Sequence, residues 1–439
     1  MLGEFSLSDE AELGQKMRRL VRSRFNLIED PEIAGYIKKI ALRLEQAAPP
    51  QPFPLSVDVV ENSAVNAFAT VSSYMVVFSG LILQMESEAE LASIMAHELA
   101  HITQGHVAGN IERSKIINIG TLIGMLAGAL LGSEEGSAVA MGSAAGAQSM
   151  ILNYSRQDER EADQVGMNYL MEAGYNPEAM LTSMDRMRRM QWFAGREIPS
   201  YLSTHPGMDE RAGYLEDLLK RMNYDSSGYK DDFGRFERVK TLLRAKYTDP
   251  DTALANFEAD RSGSCLDYLG KGIVYSRMNK VSQAAENFKL LLECDQKDPL
   301  FQREAGIFYF RFNRQENAEQ LLSQVAAQRP DDTEARLYYA RILAEDGRVS
   351  QAVEHLDQAL EIRPEDPRLH QHLARIFGRN GNNFMAYLHM AYAHIFANQP
   401  EKAAFHRNRA EKLVQGRREQ KEMEKLKQAY DEQAEFWDQ

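Results

Sequence analysis

The segment with the clearest capacity for chemistry is Ile94-Met95-Ala96-His97-Glu98-Leu99-Ala100-His101-Ile102, which contains H-E-x-x-H. On an α-helix, residues four apart lie on the same face, so His97 and His101 can direct two imidazole nitrogens to one point. Glu98 lies about 100° round the helix from His97, where it can accept a proton from a metal-bound water without ligating the metal. The pattern predicts a zinc hydrolase. The alternative is an ordinary buried helix with a solvated His-Glu edge.

A third metal ligand is expected from a second helix, which begins near Ser155 and carries Asp158-Glu159-Arg160-Glu161-Ala162-Asp163. Glu159 and Asp163 are four residues apart and share a face. A carboxylate commonly completes a zinc site that already has two histidines, so we expect Glu159 to be the ligand. Asp163 would then orient a ligand histidine from behind. Taken alone, an acidic helix start could instead serve capping and the helix dipole.

Four elements in this order resemble the metallopeptidases related to the CAAX prenyl protease and to HtpX. The first two are the histidine motif and the E-x-x-A-D sequence of residues 159–163. Asn66-Ala67-Phe68-Ala69 is similar to the family's strand, and Ser203-Thr204-His205-Pro206 with Arg211 is similar to its H-P-x-x-x-x-R element. The resemblance covers about residues 8–220.

The resemblance implies one Zn²⁺ per chain, held by His97, His101 and Glu159, with Glu98 as the general base. The integral-membrane members of the family have long membrane spans that this chain lacks, so their prenylated substrates are not expected here.

In such families the histidine and arginine of the last element lie at the cleft, so His205 and Arg211 are catalytic candidates for stabilising the oxyanion. His205 could instead enter the open metal position and hold the enzyme latent, or His205-Pro206 could merely end a loop. The edge of a small sheet containing Asn66, Ala67 and Phe68 would bind an extended peptide substrate. The alternative for that strand is simple core packing.

The elements that must position these residues can be predicted from the local sequence. Residues 8–47 predict two helices, and residues 55–60 and 73–78 predict strands, with a short strand or turn between them at Asn66-Ala67-Phe68-Ala69-Thr70. The metal helix is expected from about Ser87 to Lys115, where Ser87 and Glu90 have the spacing of a capping box.

An apolar, glycine-rich segment follows at residues 116–131. It has 16 residues, which is short for a membrane span of about 20 residues. The segment therefore predicts a buried or interfacial hairpin, with a lid or a peripheral membrane contact as the alternative.

The second half of the chain repeats with a period of 34 residues. Ala284, Ala318, Ala352 and Ala386 occupy one position of the repeat, and Pro330 and Pro364 close two of the units. The small-large-small pattern resembles tetratricopeptide helix pairs, which present concave faces to peptides or partner proteins. The histidines and tyrosines of this array are expected to be packing residues.

The only two cysteines, Cys265 and Cys294, fall at the same end of one predicted helix pair. A disulfide between them would fit an oxidising compartment, and two reduced core cysteines are the alternative. Two cysteines also exclude a disulfide-rich scaffold and a cysteine-based zinc site.

Composition limits the class of protein. The chain has 439 residues, of which 44% are hydrophobic, and its net charge of −13 argues against a nucleic-acid-binding face. The predicted fold is α+β: a mainly helical, zincin-type metallopeptidase domain with a small β-sheet at 1–225, then an all-α tetratricopeptide repeat solenoid at 226–437. No secretory leader opens the sequence, so the protein is either cytosolic or a mature periplasmic form without its leader.

A protease domain of this kind followed by such repeats resembles envelope proteases of bacteria. The resemblance implies a periplasmic zinc endopeptidase that degrades misfolded or stalled outer-membrane proteins. Its repeats would bind these clients or the barrel-assembly machinery. The alternatives are a periplasmic chaperone or adaptor in which proteolysis is latent, and a cytosolic protein with a degenerate zinc site.

Overall fold

The computed structural model describes residues 6–114, 154–193, 201, 204–222, 224, 229, 233–260, 263–434 and 437. The chain divides into two compact units, Met1–Leu243 and Arg244–Gln439. The predicted domain boundary after residue 225 remains a prediction. The apolar segment 116–131, with its predicted hairpin or membrane contact, lies outside the described residues.

The first unit is mainly helical with one small sheet, as predicted. Its elements are α1 (Leu7–Arg24), α2 (Pro31–Ala47), β1 (Ser56–Val60), β2 (Ala67–Thr70), β3 (Tyr74–Phe78), α3 (Ser79–Gln84), α4 (Glu88–Thr103), α5 (His106–Ser114), α6 (Arg156–Glu172), α7 (Glu178–Phe193) and α8 (Met208–Arg221). Asp30 caps α2 through a hydrogen bond from the Glu32 amide, directly before Pro31 at the first helical position.

The sheet has the strand order β1-β3-β2, with β1 parallel and β2 antiparallel to β3. β2 is therefore an edge strand, and its other side lies against α4. The Phe78 amide donates to the Asn66 carbonyl at 3.1 Å. Because hydrogen-bonded pairs alternate in an antiparallel ladder, Ala67 and Ala69 direct their main-chain groups away from β3, toward the outer edge.

Helix α4 carries the H-E-x-x-H motif and is buried on all sides. A helix that is buried on all sides needs partners on several faces, and α2, β2, α6 and α7 supply them. The Ser87 hydroxyl accepts from the Glu90 amide at 3.1 Å, as expected for a cap, whereas the Glu90 carboxylate accepts from the Glu86 amide instead of closing the capping box. The prediction of one helix to Lys115 was wrong, because the chain turns at Gly105 (φ 67°) and α5 starts afresh.

The second unit is an array of antiparallel helix pairs. Its helices, with α9 containing the point of division, are α9 (Phe233–Tyr247), α10 (Pro250–Asp260), α11 (Cys265–Arg277), α12 (Val281–Cys294), α13 (Pro299–Arg311), α14 (Gln315–Gln328), α15 (Thr333–Glu345), α16 (Val349–Ile362), α17 (Pro367–Arg379), α18 (Asn383–Phe396), α19 (Pro400–Glu411) and α20 (Arg417–Ala434).

The 34-residue period is visible in the backbone of this array. The turn inside each of four pairs contains a residue with a left-handed backbone, at Asn279, Asn313, Gly347 and Gly381. Asparagine and glycine are the residues that tolerate this conformation. The repeat positions that carry small residues are constrained by packing. At Gly306, for example, a Cβ would lie 2.7 Å from the Leu322 side chain.

Cys265 begins α11 and Cys294 ends α12, so the antiparallel pair brings them together. The structure joins them as a disulfide, with Cα atoms 6.0 Å apart. Within the described part of the chain, none of the helices is both long and apolar enough to cross a membrane.

Candidate metal centre

Helices α4 and α6 bring the three predicted metal ligands to one point. His97 Nε2 lies 3.0 Å from His101 Nε2, and the Glu159 carboxylate oxygens lie 3.4 Å from His101 Nε2 and 3.6 Å from His97 Nε2. All three side chains are buried, and burial lowers the pKa of His101 well below its usual range. A neutral imidazole is the form that binds a metal.

The predicted general base lies beside this point. Glu98 is fully buried, and one of its carboxylate oxygens accepts a hydrogen bond from the Ala69 amide of β2 at 3.1 Å. Its other oxygen lies 3.3 Å from His205 Nε2. Burial raises the pKa of Glu98, against the opposing charges of His205 and His97. A carboxylate with a raised pKa is suited to take up and release a proton.

Asp163 lies behind the ligand histidine, on the same face of α6 as Glu159. Its Oδ1 is 2.9 Å from His97 Nδ1, so His97 can present Nε2 to the ligand cluster. Arg211 on α8 holds Asp163 in a bidentate pair of 2.7 and 2.8 Å, and Tyr214 donates to the same carboxylate. Although burial opposes it, the charge of Arg211 holds the pKa of Asp163 well below its usual range.

Arg211 is buried and also forms an ion pair with Glu159. Its guanidinium therefore lies behind two of the acidic groups of the cluster. The predicted role of Arg211 at the oxyanion remains a prediction.

His205 joins the three predicted ligands as a fourth donor. Its Nδ1 lies 3.0 Å from Glu159 Oε1 and 3.3 Å from His97 Nε2, and its ring stacks on Tyr201 at 4.3 Å between centroids. One donor atom from each of His97, His101, Glu159 and His205 lies within 4.8 Å of the other three. His205 therefore lies inside the donor cluster, where a residue that merely ended a loop would not need to lie.

The strand residues predicted to bind substrate do not share one environment in the structure. The Phe68 side chain packs on Phe78 in the hydrophobic core, with ring centroids 6.2 Å apart. Asn66 and Ala67 are also buried. The main-chain groups of Ala67 point toward the outer edge of β2. Any substrate contact in this strand would therefore be made by the backbone, not by the Phe68 ring.

Sequence reasoning missed His106, whose Nδ1 lies 2.9 Å from His101 Nδ1. On its other side, His106 Nε2 lies 3.4 Å from Glu161 Oε2. Five residues after His101, an uninterrupted helix would turn His106 about 140° away from it. The break at Gly105 returns His106 to the cluster, and that glycine is the signal that could have revealed it.

Gly166 was also missed, although it follows Glu159 by two helical turns and so lies on the same face of α6. A Cβ at Gly166 would lie 3.0 Å from the Ala96 carbonyl oxygen and 3.1 Å from His97 Cα. The absence of a side chain therefore lets the backbones of α4 and α6 approach. Tyr154 stacks on His101 with centroids 3.6 Å apart, and no local sequence pattern marks it.

The donors fit a zinc ion. Donor atoms that share a tetrahedral zinc at about 2.0–2.1 Å lie about 3.3 Å from one another, close to the spacings found between these nitrogen and carboxylate atoms. Imidazole and carboxylate are common zinc ligands, and the site is enclosed. The chemistry of these donors and the distances between them make this cluster a metal site.

Comparison with known proteins agrees with this geometry. Residues 28–219 match peptidase family M48, and residues 313–376 match the tetratricopeptide repeat. The first match contains the four donors, Glu98, Asp163 and Arg211.

The beta-barrel assembly-enhancing protease of Escherichia coli is 27% identical over 301 residues, covering 66% of this chain and 61% of that protein. The protein of the same name from Yersinia pestis is 28% identical over 312 residues, covering 70% of this chain and 62% of that protein. The chain thus spans about three fifths of the length of these curated relatives. Among solved structures, MamA from Desulfovibrio magneticus is 19% identical with a TM-score of 0.31, covering 37% of this chain and 93% of that one.

Proposed function

Because this chain joins a peptidase family M48 domain to a tetratricopeptide repeat array, we propose that it is a zinc-dependent endopeptidase. One Zn²⁺ per chain would be held by His97, His101 and Glu159, with Glu98 as the general base. The observation that carries the proposal is the close, buried grouping of two imidazoles and a carboxylate beside a second carboxylate.

When bound, zinc supplies a Lewis acid that polarises the scissile carbonyl and makes a water nucleophilic near neutral pH. The chain's own residues handle the proton. Glu98, fixed by the Ala69 amide, takes the proton from the attacking water and passes it to the leaving amine. Asp163 fixes the ring of His97, and Arg211 in turn fixes Asp163.

We propose that His205 is a latch on the metal. Its position within the donor set supports this role, because four donors would complete a tetrahedral shell and leave no open position for substrate. An oxyanion role would require the imidazole to leave the cluster and face the substrate carbonyl. Substitution of His205 distinguishes the two roles by the sign of its effect on the rate.

We propose that the substrate is an unfolded or misfolded outer-membrane protein, bound in extended form along the edge of β2. The names of the relatives suggest this class of substrate. The outward main-chain groups of Ala67 and the outward carbonyl of Ala69 suit strand addition, while the Ala69 amide donates to Glu98. All four residues of β2 are buried, so binding there requires the edge to be uncovered. The repeats would hold the client or the barrel-assembly machinery.

We place the protein in the bacterial periplasm. The names of the relatives and the disulfide between Cys265 and Cys294 support an oxidising envelope compartment. Reaction of the purified native protein with a thiol reagent, before and after reduction, tests whether this disulfide exists.

The experiment that tests the peptidase is zinc content together with cleavage of a urea-unfolded outer-membrane barrel protein, for wild type, Glu98→Gln and His205→Ala. We expect one zinc per chain in wild type and in Glu98→Gln, and a cleavage rate at least about 100-fold lower in Glu98→Gln. Faster cleavage by His205→Ala supports the latch, and slower cleavage supports the oxyanion role. Freshly purified wild type without zinc would contradict the proposal.

A second candidate is a periplasmic chaperone or adaptor in which proteolysis is latent, and the placement of His205 in the donor set favours it. Its test is whether Glu98→Gln retains cellular function. Complementation of a deletion strain by Glu98→Gln as well as by wild type would move this role ahead of proteolysis.

A further inference from the structure

The last helix pair, α19 and α20, carries a concentration of positive charge. Residues 402–421 contain seven lysines and arginines but only two glutamates, in a chain whose net charge is −13. Both glutamates are engaged within the pair. Glu411 accepts a hydrogen bond from Lys427 at 2.7 Å, and Glu419 accepts one from the Gly416 amide at 3.2 Å. This segment therefore has an excess of positive charge, whereas the rest of the chain is acidic.

Part of this charge lies in a stripe along α19. The stripe consists of four exposed residues at helical spacing, Lys402, Phe405, Arg409 and Lys412. The buried residues of this helix, Ala403 and Ala410, lie on its other side. Phe405 is 53% exposed, and the other large apolar side chains exposed in the described part of the chain are aliphatic. The guanidinium carbon of Arg409 lies 5.4 Å from the centroid of its ring.

The rest of the charge lies where α20 begins. Arg417 and Arg418 are its first two residues, Lys421 follows one turn later, and all three are exposed. Because α19 ends where α20 begins, they lie at the same end of the pair as Lys412. Cations in the first turn of a helix face the positive end of its dipole, which costs stability. Among the residues that the structure describes, neither these four nor Arg409 forms an ion pair with a carboxylate.

We propose that the stripe on α19 and the first turn of α20 bind the surface of a bilayer that contains anionic phospholipids. Each basic residue close to such a surface strengthens binding about fivefold. The exposed ring of Phe405 would enter the boundary between the headgroups and the acyl chains. This contact is peripheral, and it does not depend on the peptidase proposal.

A bilayer fits this surface better than other anionic partners do. An acidic protein segment or a nucleic acid would satisfy the charges but would give an exposed phenylalanine no apolar environment. Lipid headgroups are mobile, so they can gather around basic residues that are spread over a helix face and a turn. The acidic remainder of the chain would be repelled, and the protein would therefore approach the membrane with this end first.

The test is sedimentation of the full chain with vesicles of phosphatidylcholine, with or without about one third of phosphatidylglycerol. We expect binding to the anionic vesicles and none to pure phosphatidylcholine, with a steep loss as salt is added. The combined variant Arg417→Gln, Arg418→Gln and Lys421→Gln should bind the anionic vesicles about 100-fold more weakly. Phe405→Ser should bind about fivefold more weakly, because half of the ring surface is available for burial.

The matched control makes the same change in net charge at three other exposed lysines. It combines Lys38→Gln and Lys39→Gln on α2 with Lys297→Gln before α13. We expect it to bind the anionic vesicles like wild type, since these lysines lie outside the proposed surface.

Equal binding of wild type to the two kinds of vesicle would overturn the proposal, as would equal loss in the control and the combined variant. Unchanged binding by Phe405→Ser would exclude insertion of the ring. Tighter binding to a polyglutamate peptide than to the vesicles would assign the surface to an acidic protein segment instead. Absence of binding at about 1 mM anionic lipid would also contradict it, since even a single myristoyl chain binds membranes in that range.

Discussion

Replacing Gly166 by alanine should disturb the metal site while changing the stability of the fold only modestly. The added Cβ would lie 3.0 Å from the Ala96 carbonyl oxygen and 3.1 Å from His97 Cα, which are backbone atoms of a fully buried helix. To reach an ordinary contact of 3.4 Å, α6 must move from α4 by about 0.4 Å. Zinc–ligand distances tolerate only about 0.2 Å. Glu159 lies on the same face of α6 and would move with it.

Two opposing effects set the stability change in this variant. Alanine in place of a helical glycine stabilises by about 0.5–1 kcal/mol, and overpacking costs about 1–3 kcal/mol. We therefore expect the metal-free protein to lose no more than about 2.5 kcal/mol. Zinc affinity should fall at least about tenfold, as for the loss of a group that positions a metal ligand.

The assay is competition for zinc with a chelating dye, next to urea unfolding of the metal-free protein. Gly213→Ala is the control, since it is a glycine within α8 whose Cβ would have nothing within 4 Å. It should gain about 0.5–1 kcal/mol and keep the wild-type zinc affinity. An unchanged zinc affinity in Gly166→Ala would refute the idea that this close approach positions Glu159.

Three further changes test other parts of the molecule. His106→Ala should weaken zinc binding about 10- to 100-fold in the same dye competition, because it removes the group that contacts His101 Nδ1; unchanged affinity would contradict this. Burial, with the charge of His370, lowers the pKa of His389 to about 3, so the folded state binds fewer protons and stability is lost as the pH falls below about 6.5. Between pH 7 and pH 5, this histidine should lower the free energy of unfolding, measured with urea, by about 2 kcal/mol. The loss in the His389→Leu variant should therefore be about 2 kcal/mol smaller than in wild type over the same interval. Reduction of the Cys265–Cys294 disulfide, which closes a loop of 29 residues, should cost the repeat unit about 3–4 kcal/mol, and a chain with both cysteines replaced by serine should not respond to reductant.

Much of this fold follows from short-range patterns. The strands at 56–60, 67–70 and 74–78 and the start of α6 at its Ser155 cap agree with expectation because turn residues and caps act locally. The 34-residue period predicted the helix pairs because small residues at fixed positions are needed wherever two helices approach closely.

The parts that sequence reasoning missed depend on contacts between distant segments. The motif on α4 predicted which side chains face one another, but not that Gly166 sets the spacing between α4 and α6. His106 was missed, because the helix predicted from Ser87 to Lys115 ran through Gly105, where the chain turns. Tyr154 and Tyr201 stack on histidines from positions that no periodicity marks.

The buried site has an excess of negative charge, and this ties folding to metal supply. Glu98, Glu159 and Asp163 are three buried carboxylates, and the buried guanidinium of Arg211 pairs with two of them, Glu159 and Asp163. With the imidazoles neutral, as metal binding requires, two negative charges remain, which one divalent cation would neutralise. Without the cation, electroneutrality must come from protons or from loosening of the site, and either raises the free energy of the folded state. The first unit, Met1–Leu243, which contains the metal centre, should therefore be most resistant to unfolding and to other proteases where zinc is plentiful. Zinc starvation would lower its abundance before it lowered its specific activity.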